Sequence, residues 1–183
     1  MDEGKESAMR LRDKVAVVVG AGQSTGDTIG NGRATALLFA REGAQVLAVD
    51  RDDASVRETV EMIEAEGGRA IPFAADITDE DATERIAPAA LGEFGKIDIL
   101  HNNVGIGTGD GGVTKLAREV WDRIFEVNVT GMFLTCKHVI PHMRESGGGA
   151  IVNVSSTAAV GSASTVRSLF ECSQHGRRFF PNG

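Results

Sequence analysis

Tyrosine is absent from this 183-residue chain, tryptophan occurs once, and aromatic residues make up only 5% of it. Chemistry that uses a phenol hydroxyl as acid or base is therefore closed to these residues. The two cysteines, Cys136 and Cys172, are too few for a disulfide framework or a thiolate metal site, and free thiols fit a reducing compartment. His101, His138, His142 and His175 share no ligand spacing, so no metal is expected. No apolar run approaches a bilayer span. The opening "MDEGKESAMRLRDK" is polar and mixed in charge, unlike a secretory signal. Together these point to a cytoplasmic protein. A net charge of -7 argues against nucleic acid as a partner, because neutralising phosphates needs clustered Lys and Arg.

The residues that are present, 42% apolar and 25% charged, suit one globular domain with a real core. "VAVVV" (15–19) and "QVLAVD" (45–50) are continuous β-branched runs of the kind buried on both faces of a parallel sheet. Helical spacing follows each: Ala34, Leu37 and Leu38 before Gly43, then Val56, Val60 and Ile63 before Gly67. "RAIPFAAD" (69–76) reads as a third strand, pushed to an edge or a bulge by Pro72. "DEDATERIAPAALGEFG" is helical by pattern, with Pro88 inside it forcing a kink. "IDILHNN" (97–103) and "AIVNVSS" (150–156) are further strands, separated by one long helical stretch over 117–146 or two joined near Gly131.

Strand and helix alternating in this way imply an α/β fold, a doubly wound parallel sheet of Rossmann type in a single domain. The pattern stops near residue 160, and the last 14 residues hold three of the eight Phe. The expected division is a flexible lead over 1–12, a dinucleotide-binding domain over 13–162 that is incomplete at its C-terminal side, and a poorly ordered tail over 163–183.

"GAGQSTGDTIGNGRATA" (20–36) follows the first strand and opens a helix, and Asp50 ends the next strand. Glycines there permit a tight turn and close backbone approach, and the helix aims its first amides at a pyrophosphate. An acid in the position of Asp50 accepts bonds from both hydroxyls of an adenosine ribose and repels a 2′-phosphate, which favours NAD over NADP. The competing reading of Asp50 is a solvated strand-end acid or helix cap. A P-loop is excluded because no Gly-Lys-Ser/Thr follows.

Several motifs in order make the chain resemble the short-chain dehydrogenase/reductase family over residues 11–162. Gly20, Gly30 and Gly32 match its Gly-x-x-x-Gly-x-Gly loop with six extra residues inserted, although Gly26, Gly30 and Gly32 also satisfy the spacing. Which amides of 21–29 would touch phosphate stays open. Asn31 and Arg51 complete the cofactor set beside these glycines and Asp50. "AADIT" resembles the segment whose Asp, here Asp76, contacts adenine together with the backbone of Ile77. "NNVG" (102–105) resembles Asn-Asn-Ala-Gly, which implies that Asn103 and Gly105 pass close to the cofactor. "FEVNVTG" places Asn128 at the family's catalytic-shell asparagine, and "IVNVSS" places Ser156 at the serine that bonds the substrate carbonyl. The long 117–146 stretch resembles the family's dimer-forming helix, which implies a homo-oligomer.

The resemblance implies hydride transfer between nicotinamide and a small-molecule alcohol or ketone, with a tyrosine moving the proton and a lysine lowering its pKa. Counting from Ser156 as the family does gives Leu169 and Ser173, and the last lysine is Lys137. The expectation is therefore a family member whose 183 residues are inactive, or else a non-catalytic NAD-binding relic or regulatory protein. A Rossmann-like methyltransferase shares the loop and Asp50 but leaves "NNVG" and "VNVSS" without a role. A base shift in the coding DNA would account for the change of text in the tail. Family-like residues in an alternative frame after residue 163 are the expected result, and their absence from both frames would refute that origin.

Overall fold

The computed structural model describes residues 9–23, 26, 28–109 and 114–156. The tail over 163–183, and with it residues 169 and 173, lies outside them, as do residues 1–8 of the lead. Five parallel strands form one sheet in the order β3-β2-β1-β4-β5. These are β1 (Val15–Val19), β2 (Gln45–Asp50), β3 (Arg69–Ala74), β4 (Ile99–Asn102) and β5 (Ala150–Asn153). Helices α1 (Asn31–Arg41) and α2 (Asp53–Ala65) cover one face. The other carries α3 (Glu80–Glu84), α4 (Ile86–Phe94) and α6 (Gly131–Glu145), and α5 (Arg118–Phe125) precedes α6 in the chain. All five residues of β1 are buried, which is why that strand shows no polar alternation. The strand order reverses between β1 and β4, and it is there that an open α/β sheet leaves a crevice beyond its carboxyl ends.

Local chemistry explains the boundaries. Asp52 caps α2 by accepting from Ser55 N, and Asp79 caps α3 by accepting from Asp81 N and Ala82 N. The expected kinked helix around Pro88 is two helices meeting at Arg85. Pro88 falls in the first turn of α4, where a missing N–H costs nothing. Pro72 lies on β3, an edge strand of the sheet, as a residue without an N–H should. The stretch over 117–146 is two helices joined by a π turn, Glu126–Thr130, which ends just before Gly131. Gly131 is small because a Cβ there would lie 2.6 Å from Ile77 Cδ1. Strands β4 and β5 end earlier than expected, at Asn102 and Asn153, although Asn103 N still donates to Val19 O and Val154 N to Asn102 O.

Polar groups tie β4 and β5 to α6 from within the core. Asn102 accepts from Thr135 Oγ1 (2.8 Å) and donates Nδ2 to Asn153 Oδ1 (2.9 Å). At the start of the domain, Leu11 N donates to Glu42 O and Arg10 pairs with the Glu42 carboxylate.

His101 on β4 is buried, and neither ring nitrogen has a hydrogen-bond partner. Its neighbours are Val18 and Val152 across the sheet and the Phe39 ring at 5.9 Å. Burial pushes its pKa below the ordinary value. The unfolded chain then binds a proton at higher pH than the folded one. His101 therefore removes stability as pH falls through the unfolded value of about 6.5, and none of that loss is felt above it. Urea unfolding at pH 7.5 and 5.5 should show a larger loss on acidification for the wild-type chain than for His101→Val. Equal losses would show that His101 does not carry the effect.

Candidate functional site

A cleft of about 710 Å³ lies beyond the carboxyl ends of β1, β2, β4 and β5. Its floor depends on two glycines. Gly20 leaves β1 with φ +81°, a left-handed conformation that disfavours side chains. A Cβ on Gly32 would stand 1.7 Å from the Gly20 carbonyl oxygen, so the start of α1 lies directly against the end of β1. Asn103 Nδ2 donates to that same carbonyl at 3.3 Å. Gly30 is the N-cap of α1 and brings no side chain to cap the helix. Asn31 and Gly32, in its first turn, line the cleft. First-turn amides have no intrahelical acceptor, so an anion such as a pyrophosphate fits there.

Among the described residues of the glycine loop, Gln23 is tied at both atoms of its side-chain amide. Gln23 Oε1 accepts from Gly30 N at 2.7 Å and its Nε2 donates to Thr28 O at 2.9 Å, so one side chain bridges the insertion. Gly26 has nothing within 4 Å of a Cβ built on it. Of this loop's glycines, Gly20, Gly22, Gly30 and Gly32 line the cleft and Gly26 does not.

Asp50 closes the far side. Its Oδ2 accepts from Gly22 N (2.9 Å) and its Oδ1 from Asp52 N (3.1 Å). A carboxylate has about four acceptor positions, so each oxygen can still take a ligand hydroxyl, and a ribose diol fits. Arg51 stands exposed on the rim beside it.

The β3 end contributes Ala75 and Ile77 to the cleft wall, whereas Asp76 is not part of the lining. Its Oδ1 accepts from both Thr78 N (2.9 Å) and Thr78 Oγ1 (2.7 Å). Burial alone would raise the Asp76 pKa. The two Thr78 bonds, with the charges of Arg123 and Arg51, outweigh it and hold the carboxyl below its usual range.

After β4, residues Asn103–Ile106 form the next wall. Asn128, fully buried in the π turn, accepts from Ile106 N (2.8 Å) and donates to Ile106 O (2.9 Å). The side-chain amide thus clamps the backbone of the loop that holds Gly105. Ser155 and Ser156 complete the cleft after β5, where Val154 N donates to Asn102 O at 2.9 Å. The structure therefore brings Gly20, Gly30, Asn31, Gly32, Asp50, Arg51, Ile77, Asn103, Gly105 and Ser156 to one cleft. Asp76 and Asn128 stand just behind it. Sequence reasoning missed Gly22, Gln23, Arg33, Ser55 and Thr59, which brace the loop. The one available signal was a charged residue, Arg33, directly after the glycine run.

Comparison with known proteins accords with this geometry. The family described as short chain dehydrogenase matches residues 14–180. The chain belongs to the short-chain dehydrogenase family. The match reaches beyond residue 162, where the motifs read from the sequence stop. The 3-oxoacyl-acyl-carrier-protein reductase FabG of Thermotoga maritima is 36% identical over 152 residues, covering 83% of this chain and 59% of FabG. The oxidoreductase YxbG of Bacillus subtilis is 40% identical over 147 residues, covering 80% of this chain and 51% of YxbG. This chain thus spans about half to three-fifths of the length of these two relatives. A short-chain dehydrogenase/reductase structure from Burkholderia xenovorans superposes with a TM-score of 0.86 at 43% identity, covering 92% of this chain and 66% of the other. A metagenomic short-chain oxidoreductase in complex with NADP gives a TM-score of 0.81 at 30% identity, over 93% of this chain and 74% of the other.

In a short-chain dehydrogenase built this way, Gly32 and an ordinary helical glycine should respond oppositely to alanine. Gly32→Ala should cost about 3 kcal/mol or more, since backbone must move. Gly92, exposed in α4 with nothing within 4 Å, should gain about 0.5–1 kcal/mol as alanine. Denaturant unfolding of both variants checks this, and a tolerated Gly32→Ala would contradict the close approach.

Proposed function

We propose that this chain is an NAD-linked oxidoreductase framework whose parent reaction is hydride transfer between nicotinamide and an alcohol or ketone. We further propose that these 183 residues bind NAD but do not sustain that reaction. The observation that carries the cofactor reading is the Asp50 carboxylate, fixed by the Gly22 and Asp52 amides beside the glycine floor. Held there, it accepts from a free ribose diol and repels a 2′-phosphate, so NAD is preferred to NADP. Arg51, on the rim, offers the opposite charge, but it is exposed and lies in solvent, where screening weakens it.

In this reading the first-turn amides at Asn31 and Gly32 hold the pyrophosphate, and Ile77 and Asp76 border the adenine. Asn103 and Gly105 form the wall that the nicotinamide half follows. Bound NAD supplies the hydride acceptor. Ser156 donates a hydrogen bond to the substrate oxygen and orients it. Asn128 keeps the 103–106 loop in place by clamping Ile106 and, in this reading, helps hold a water of the proton relay. The proton transfer that must accompany the hydride has no tyrosine to carry it, since the chain contains none. Removing a positioned acid typically slows a reaction about 10²–10⁴-fold. That absence also favours the second reading, a non-catalytic NAD-binding protein. No helix among the described residues is long and apolar enough to cross a membrane, and we place the protein in the cytoplasm. The exposed Trp121, stacked on Phe125 at 4.8 Å, suits a homo-oligomer formed through α5 and α6.

Calorimetric titration should show NAD binding at least about tenfold tighter than NADP, a difference of about 1.4 kcal/mol. Asp50→Ser should narrow or reverse that gap. Equal or tighter NADP binding by the wild-type chain would overturn the NAD assignment. Alcohol oxidation at ordinary dehydrogenase rates by the purified chain would overturn the inactivity.

A further inference from the structure

Arg33 is buried although it carries a full charge, and its position one residue after Gly32 does not explain why. Its Nε donates to Thr59 Oγ1 at 2.9 Å. Its Nη2 meets Ser55 O at 3.0 Å, Ser55 Oγ at 3.3 Å and Glu58 Oε2 at 2.6 Å. Among the described residues only Glu58 pairs with it as countercharge, and that side chain is largely exposed. Taking a guanidinium out of water is costly, and a single acid that is itself in solvent does not offset that cost, so the pair with Glu58 does not account for the burial.

The two hydroxyls that Arg33 touches both reach the glycine loop. Thr59 Oγ1 donates to Ala21 O at 2.8 Å, and Ser55 Oγ accepts from Gln23 N at 2.6 Å. Between those residues lies Gly22, whose amide holds Asp50 Oδ2. A guanidinium has donors and no acceptor, while a hydroxyl has one proton and two lone pairs. An Arg33 N–H on a hydroxyl lone pair therefore leaves that hydroxyl's proton for the loop. On Thr59 that proton has the Ala21 carbonyl at 2.8 Å and the Ser55 carbonyl at 3.2 Å, and the shorter contact is the one to the loop.

We propose that Arg33 is a positioning residue for the nucleotide. It organises Ser55 and Thr59 so that the 21–23 backbone, and through Gly22 the Asp50 carboxylate, is set in the orientation that selects a free ribose diol. This rests on the dinucleotide reading above. Lysine cannot replace Arg33, because one ammonium does not reproduce a planar fork reaching both hydroxyls.

The test compares Arg33→Lys, Thr59→Val and Thr59→Ser with the wild-type chain by amide hydrogen exchange at Gly22 and Gln23, without nucleotide, and by calorimetry with NAD and NADP. Arg33→Lys and Thr59→Val should speed exchange at those two amides while β1 and β2 stay protected. They should also weaken NAD binding about tenfold and shrink the NAD-over-NADP ratio. Thr59→Ser, which keeps the hydroxyl, should restore both. Unchanged exchange at Gly22 and Gln23 in Thr59→Val, or loss of protection spread evenly over the sheet, would overturn the proposal. Failure of the wild-type chain to bind NAD would instead overturn the dinucleotide reading, and the exchange data alone would then decide whether Arg33 governs the loop.

Discussion

The carbonyl of Gly20 lies where any side chain at residue 32 would have to be. That single steric constraint brings the first turn of α1 against the end of β1, and the rest of the site is arranged around it. Because α1 starts there, its unpaired amides open into the crevice where the strand order reverses. Because Gly20 turns with positive φ, its carbonyl is also available to Asn103 from β4. Two strands and a helix are thus joined through one backbone oxygen, a function that bulky residues at either position would destroy.

Around this contact the loops are held by polar side chains that are buried or half-buried. Gln23 spans the insertion, Ser55 and Thr59 hold its stem, and Asn128 holds the loop after β4. A second set, Asn102 with Thr135 and Asn153, fixes β5 and so the backbone that presents Ser156. Such bonds are directional and costly to leave half made. They give the crevice a defined shape without a ligand, and a preorganised site wastes less binding energy on ordering itself.

Much of this was legible in the sequence because it rests on local rules. Continuous apolar runs marked the buried strands, Pro72 marked an edge, and the glycine loop between strand and helix marked the crevice. Gly20, Gly30, Gly32, Asp50, Asn103 and Ser156 all line one cleft. What was not legible depends on meetings between distant segments. Nothing in "EVNVT" announces a π turn; the bond from Asn128 to Ile106, 22 residues away, accompanies it. Pro88 promised a kink, yet the break falls at Arg85, with Pro88 in the following first turn. The brace under Gly22 needs α1 and α2 side by side, and Arg33 alone reads as an ordinary surface charge. The bonds from Thr78 to Asp76 come from a turn that the letters "DIT" permit but do not require.

The measurement that bears most directly on the whole account is a nuclear magnetic resonance titration of ¹⁵N-labelled protein with NAD. The account predicts that the shifting amides cluster at Gly20, Gly22, Asn31, Gly32, Asp50, Asn103 and Gly105, with those of α4 unmoved. No change on adding NAD, or changes centred away from the crevice between β1 and β4, would contradict it.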